Sequence, residues 1–460
     1  MLLRFLAPLE KAKALRRPQS SIQFPINVLP SSLGSLFFPM RFLVSHLASP
    51  PFVLHAVEAL READMLGRYA LCLVNQEDAL WQRAACTAAK AVRFDLKGQL
   101  RRRTLPDSIP REMIRTHPIP ELARLAVSKV DKGKITTDRV FHWGRDNFDS
   151  WVARTCLDGM QGVYSYEYTC RDTFREARKR GMRTIYDVPS PEHDFVYRIL
   201  DAEMEKFPEL LTDYDRYCRR LQAERTQYRR DEYDNADVVI AASSFTRDSF
   251  AASGWPNEKV KIVPYGAPPV DPRGVDGGTK GKGPMRFLWA GTFSIRKGAH
   301  YLLAAWRKLN PSPAVAQLDV YGAMTLPERL LQNLPSNVAL APTVSRAELY
   351  EKYRQADMLM FPTLCDGFGM VATEAWAQGL PVLTTKAAGA CDFLEHEKNG
   401  LLVPPGDEDA LVEALDWCLR NPEALRAMRE PSLQTADSWQ WEDFRRALRE
   451  AVGVPVEARV

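Results

Sequence analysis

From Met40 onward the chain alternates short aliphatic or β-branched runs with longer stretches of helical period, and it does so in two rounds. RFLVS (41–45) precedes the helical FVLHAVEALREADML. RVFHW (139–143), GVYSYEY (162–168), RTIYDV (183–188), ADVVIAAS (236–243) and KVKIVPYG (259–266) follow with helical patterns between them. Such alternation predicts a parallel sheet with helices on both faces. GAPPVDPRGVDGGTKGKGP (266–284) then interrupts it with Pro, Gly and charge but no apolar period, and reads as an interdomain connection. Its glycines neither follow a strand nor open a helix, which excludes a dinucleotide fingerprint there. Beyond it the pattern restarts: RFLWAG (286–291), QLDVYG (317–322), SNVALAP (336–342), DMLMFP (357–362), LPVLTT (380–385) and GLLVPPGD (400–407) read as strands, with GAHYLLAAWRKL, AELYEKYRQ, VATEAWAQG and EDALVEALDWCLR as helices. At 460 residues the chain is too long for one ordinary core. The expected fold class is α/β, two Rossmann-like doubly wound domains facing a cleft, with ligands at the carboxyl ends of the strands. The expected units are 40–267, a linker at 268–284, and 285–436.

Composition narrows the function classes. With 62 basic and 58 acidic side chains the net charge is +4, so nothing at the scale of the whole chain calls for nucleic acid. No apolar run reaches the roughly 18 residues of a membrane span. Eight cysteines lie scattered without CxxC or Cys/His metal spacing, which suits buried thiols in a reducing compartment and makes the cytoplasm the expected location. Residues 1–39, basic and then rich in Pro and Ser, read as a disordered or misassigned extension rather than a transit peptide. KGQLRRRTLP (97–106) is either a solvated helix face or a surface that rests on anionic lipid head groups.

Two stretches carry candidate chemistry. In DGFGMVATEAWAQGLPV (366–382) a loop follows a strand, and a helix begins near Met370. The amides of Gly367 to Met370 then sit at a helix N-terminus, where unpaired N–H groups meet an anion or a hydroxyl and glycine permits close approach. Asp366 precedes that helix and Glu374 lies about one turn into it, so both carboxylates can accept hydrogen bonds from the hydroxyls of one elongated ligand. Alone, either fits equally a dipole-stabilised acid or an Asx-turn residue. In GTFSIRKG (291–298), Arg296 and Lys297 sit between a strand end and a helix, suited to a diphosphate although the spacing is not that of a P-loop. Alone, that stretch fits a solvated basic turn.

Together these blocks, from Arg286 to Arg420 with LDVYG, RQADMLMFPTLCDGFGMVATEAWAQGLPVLTT and NGLLVPPGDEDALVEAL in order, resemble the C-terminal domain of retaining nucleotide-sugar glycosyltransferases of family 4, which have the GT-B architecture. The resemblance implies that Lys297 with Arg296 binds the donor diphosphate, Glu374 the ribose hydroxyls, and Asp366 with the Gly367, Phe368 and Gly369 loop the transferred hexose. Gly291 completes the donor set, and Leu340 to Val344 lie near the base. Asp366 stands where the family often has Glu, and Thr292 where it commonly has Arg, with Arg296 supplying the second cation.

The first half resembles the family more loosely, through EYDNADVVIAASSFTRDSFAASGWPNEKVKIVPYGA. GVYSYEYT and YDVPSPEH occupy the strand ends of the acceptor side, where Glu167, Asp187 and His193 are the candidates. His193 joins Asp366 and Lys297 as a catalytic candidate, donating to a substrate hydroxyl or phosphate. SHLASPPFV replaces the family's usual Gly-rich loop. SWQWEDFRRALREAV (438–452) resembles the last helix, which crosses back to the first domain with Trp439 and Trp441 as core anchors; the returning segment is placed at 437–460. The resemblance implies retention of anomeric configuration, UDP- or GDP-hexose as co-substrate, no metal and no cofactor. It implies a glycan or lipid-linked acceptor, polysaccharide biosynthesis, and a cytoplasmic enzyme with or without peripheral contact at the inner face of the membrane. A non-catalytic nucleotide-sugar scaffold and a nucleotide-sugar epimerase are the alternatives.

Overall fold

The computed structural model describes residues 40–453 apart from 78, 92–94, 102, 132, 280 and 281. The expectations for residues 1–39, and for the returning segment beyond 453, fall outside the described residues. The first sheet holds β1 (Phe42–Ser45), β2 (Leu66–Leu71), β3 (Ile114–Thr116), β4 (Gly162–Tyr166), β5 (Arg183–Val188), β6 (Val238–Ala241) and β7 (Val260–Ile262). Its order is β3-β2-β1-β4-β5-β6-β7. The second holds β8 (Met285–Ala290), β9 (Ala316–Tyr321), β10 (Val338–Ala341), β11 (Met358–Phe361), β12 (Val382–Thr385) and β13 (Gly400–Val403), in the order β10-β9-β8-β11-β12-β13. Every strand pairing within the two sheets is parallel. The α/β, doubly wound class read from the sequence is the class found.

In both sheets the strand order reverses once, between β1 and β4 and again between β8 and β11. Those are the switch points at which neighbouring crossovers run to opposite faces and leave a crevice at the strand ends. Both candidate stretches of the second half follow the strands that flank its switch point.

One expected strand is absent. RVFHW lies inside the Ile135–Thr155 helix, whose buried Arg145, Phe148, Asp149 and Val152 recur at intervals of three and four. That 3.6-residue period outweighs the local β-branched and aromatic run. Conversely, β2 and β3 went unread: Arg68 interrupts the apolar run of one, and the other is a three-residue edge with little burial.

The cores interlock across the two sheets. Phe195, Ile199, Met204 and Leu210, from the His193–Lys206 helix and the turn after it, belong to the apolar cluster of the second sheet. In return, Phe368 joins the cluster of the first sheet together with Phe444 and Leu448 of the Trp441–Val452 helix. That last helix lies against the Pro51–Glu62 helix, with Trp441 stacked on His55 at 4.3 Å and Arg445 paired with Glu62 at 2.9 Å. The Trp439 indole donates to the Pro264 carbonyl at 2.9 Å.

Candidate active site

On the second sheet, the chain leaves β8 through Gly291, whose φ of +98° is glycine territory. A Cβ there would come into ordinary contact with Lys297 Nζ at 3.8 Å and Val371 Cγ1 at 4.0 Å, so the turn lies directly beside the lysine. Gly298 (φ +78°) then presses the chain onto the end of β11, where an added Cβ would lie 2.0 Å from the Pro362 carbonyl oxygen. This close approach brings Arg296 and Lys297 over the loop after β11.

Both cations converge on one carboxylate. Arg296 Nη1 and Lys297 Nζ each lie 3.5 Å from Asp366 Oδ2, and Arg296 also donates to the Cys365 carbonyl. The Asp366 side chain is 14% exposed. Its burial alone would push the carboxyl up, but Lys297 and then Arg296, with the Phe368 amide, outweigh it and hold the group below the ordinary carboxylate value. Two cations against one anion leave a surplus positive charge beside the Gly291 turn.

Asp366 is fixed by its own amide, which donates to the Ala387 carbonyl at 2.8 Å. Gly367 is the contact point between the two halves: its carbonyl accepts from Ser243 Oγ at 2.5 Å and Thr246 Oγ1 at 3.0 Å, both on the first-sheet side. Phe368 corrects an expectation. Its ring, 2% exposed, packs edge-on against Tyr265 at 5.4 Å in the first-sheet core, so it does not face a donor. Its amide is already spent on Asp366 Oδ1 at 3.3 Å. Gly369 (φ +85°) opens the Met370–Trp376 helix.

Glu374 lies within that helix, and burial pushes its carboxyl up, offset in part by Arg346 at 3.9 Å. Arg346 starts the next helix beyond the Leu340 to Val344 segment, so the glutamate faces the region expected near the base. Arg346 carries no sequence signal apart from its place after the Ser345 cap.

On the first sheet, the ends of β1, β2, β4 and β5 surround a cavity of about 440 Å³. Glu167 lines it and accepts from Arg229 Nε at 2.6 Å. Tyr168 follows with φ +69°, rare for a bulky residue, held by its amide's bond to Glu232 Oε2 at 2.7 Å. His193 opens its helix with Nδ1 2.7 Å from Thr226 Oγ1. Burial, then Arg229 and Arg225, pull its pKa to about 3, so the ring is neutral and not a cationic donor to phosphate.

Asp187 departs from its expected place. It is fully buried within β5, where its carboxylate accepts from Tyr164 Oη at 2.5 Å and Tyr265 Oη at 3.2 Å. It braces the core instead of presenting an oxygen to the cavity. Among the described residues no cluster of His, Cys, Asp or Glu is placed to hold a metal ion, and no helix is long and apolar enough to cross a membrane.

Residues 284–421 match the family described as Glycosyl transferases group 1. An uncharacterized glycosyltransferase of Methanocaldococcus jannaschii is 23% identical over 280 residues, 57% of this chain and 68% of the relative. The GDP-mannose-dependent alpha-(1-6)-phosphatidylinositol monomannoside mannosyltransferase of Mycolicibacterium smegmatis is 29% identical over 260 residues, 52% of this chain and 68% of the relative. Sucrose-phosphate synthase from Thermosynechococcus elongatus superposes with a TM-score of 0.58 at 18% identity, covering 90% of this chain and 98% of that one. The chain is a glycosyltransferase of GT-B fold that carries the group 1 match in residues 284–421.

The glycosyltransferase thus brings Arg296, Lys297 and Asp366 together at the second switch point, with Gly291 beside them. Glu374 stands with Arg346, Glu167 with Arg229 at the first-sheet cavity, and Asp187 apart from both sites.

That interior position gives Asp187 a testable signature. Burial raises its pKa from the carboxylate range to about 7, against the pull of the two tyrosine hydroxyls. A carboxyl raised on folding adds stability below its unfolded value near 4 and loses that addition as pH climbs through about 7. The stability of the wild type relative to Asp187→Asn is therefore expected to fall between pH 5 and pH 8, by on the order of a few kcal/mol. Urea unfolding of both proteins at the two pH values measures it. A difference that does not change with pH would mean that the carboxyl stays ionised in the fold.

Proposed function

We propose that the glycosyltransferase moves a hexose from a nucleotide sugar, UDP- or GDP-linked, to a hydroxyl of a glycan or lipid-linked acceptor, with retention of anomeric configuration. The observation that carries the reading is the convergence of Arg296 and Lys297 on Asp366, beside the Gly291 turn. A departing diphosphate needs positive charge where its negative charge develops, and a partly buried site strengthens that interaction. The GDP-mannose dependence of the mycobacterial relative supports a nucleotide-sugar donor.

In this reading Lys297 and Arg296 hold the diphosphate. Asp366 orients the cations and accepts from hexose hydroxyls, and Glu374, with Arg346 beside it, accepts from the ribose. The anomeric C–O bond to the diphosphate breaks, the acceptor oxygen bonds to the same face, and the acceptor proton passes to the leaving phosphate. The residues use no metal or further cofactor for these steps. Polysaccharide assembly in the cytoplasm, with acceptors offered at the inner face of the membrane, is the setting this chemistry suits.

Thermal melting with UDP, GDP, ADP and their hexose conjugates, beside Glu374→Ala, tests it. One nucleotide at 100 times its dissociation constant is expected to stabilise the wild type by about 2.7 kcal/mol and the variant much less. If all of the nucleotides leave both proteins unmoved, the donor reading falls.

A further inference from the structure

The first-sheet cavity holds more positive charge than its own acids neutralise. Arg103, Arg124, Arg145 and Arg229 line it, against Glu121 and Glu167. Glu121 already serves two arginines, Arg103 at 2.5 Å and Arg124 at 2.8 Å, and Glu167 serves Arg229. His46, also in the lining, is held neutral by burial, its pKa lowered to about 4 against the opposing Ala48 carbonyl.

Arg145 is the least satisfied of the four. It is 5% exposed, and its guanidinium sits in the angle between two rings set edge to face, 4.1 Å from the Tyr168 centroid and 3.8 Å from that of Tyr228. Nε and Nη2 donate to a single oxygen of Asp146, at 3.0 and 2.7 Å; that residue is outside the cavity lining and half exposed. Nη1 is buried with no hydrogen-bond partner among the described residues. Counting Asp146, four cations face three anions. A buried N–H of a charged fork without an acceptor is costly to keep unless something else fills it.

We infer that this cavity recognises an anionic group on the acceptor, a phosphate or a carboxylate, through Arg145 with the neighbouring arginines. A guanidinium held in the angle of two aromatic rings, with one N–H still unspent, is pre-organised to donate to such a group, whereas a neutral sugar hydroxyl would leave the surplus charge unpaired. Thr169 and Ser190 share the lining. The position is also productive. Pro189 and Ser190 line the cavity on one side, and the Pro189 carbonyl lies against Gly367, next to Asp366. An acceptor anchored by its anion therefore reaches the seam where the donor hexose is proposed to sit. The inference rests on the reading of the first sheet as the acceptor side.

The test is calorimetric binding of glucose 6-phosphate, glucuronate and glucose to the full chain, with UDP and GDP measured in parallel. The proteins are the wild type, Arg145→Gln, Arg145→Lys and Arg296→Ala/Lys297→Ala. The expected result is that one or both anionic sugars bind the wild type and the donor-side double variant alike. Affinity then falls about tenfold or more in Arg145→Gln and less in Arg145→Lys, which keeps the charge but not the fork. Binding of the phosphate sugar alone, or of the carboxylate sugar alone, identifies which anion the cavity takes. The inference is overturned if no anionic sugar binds better than glucose, or if binding is lost in the donor-side variant and kept in Arg145→Gln. Should Arg145→Gln fail to fold, the lysine variant and the donor-side variant decide between these outcomes. Nucleotide binding without sugar-anion binding would remove this inference and leave the donor reading standing. Anion binding at Arg145 without nucleotide binding would do the reverse.

Discussion

Replacing Lys297 with alanine is expected to lower kcat/KM for release of nucleoside diphosphate from the donor by about a hundred- to a thousand-fold, the range for removing one pre-organised electrostatic partner of a transition state. Lys297 and Arg296 share Asp366 at equal distances of 3.5 Å. Loss of the lysine leaves one cation against one anion and cancels the surplus charge at Gly291. Arg296 cannot replace it in full, because one of its nitrogens is committed to the Cys365 carbonyl. The fold should survive, since the lysine is partly exposed and Asp366 keeps a partner. The loss should fall mainly in kcat if the charge acts on the departing phosphate, and mainly in KM if it only holds the donor. Steady-state kinetics with unchanged kcat and KM would place the diphosphate elsewhere.

Gly367→Ala is expected to cost both activity and about 2–4 kcal/mol of stability, the range for a mutation that breaks buried contacts. A Cβ on Gly367 would lie 2.0 Å from the Pro189 carbonyl oxygen and 3.0 Å from Ser190 Cα, so backbone faces backbone and no flexible side-chain end can yield. Relief requires the loop after β11 to withdraw from the first sheet. That withdrawal stretches the buried bonds from Ser243 and Thr246 to the Gly367 carbonyl. Gly367 does not have a positive φ, so the substitution introduces no backbone strain of its own and isolates the contact between the halves. Denaturant unfolding together with donor turnover measures both effects. A variant with wild-type stability and turnover would show that this seam is not closed in solution.

The second half was more legible in the sequence than the first, for a physical reason. Gly291, Arg296, Lys297, Asp366 and Glu374 sit at junctions of strand and helix within short segments, where glycine turns, caps and the period change mark the position locally. Phe368 misled because an aromatic ring in a glycine loop gives no sign of which side of the loop it will bury, and here it fills the core of the other sheet. RTIYDV is buried along almost its whole length, so no alternation separated an inward Asp187 from a strand-end carboxylate. Arg145 and Arg229 reach the cavity from helices, Arg145 two residues beyond the RVFHW stretch expected as a strand, and Arg229 from 62 residues beyond Glu167. Only packing brings these residues to one place.

The helix His193–Lys206 has a consequence for recombining such enzymes. Its Phe195, Ile199 and Met204 lie in the second-sheet cluster, Lys206 Nζ donates to Tyr301 Oη at 2.6 Å, and Glu203 meets His300 at 3.1 Å. The Pro- and Gly-rich connection at 266–284 looks like the natural place to splice the first half of one enzyme onto the second half of another. A chimera cut there would set a foreign helix against Phe293, Ile295 and Tyr301 and open voids in a core that tolerates few. The modular unit of this enzyme is therefore not a stretch of sequence. Its second half travels intact only with residues 193–211 taken from the same parent.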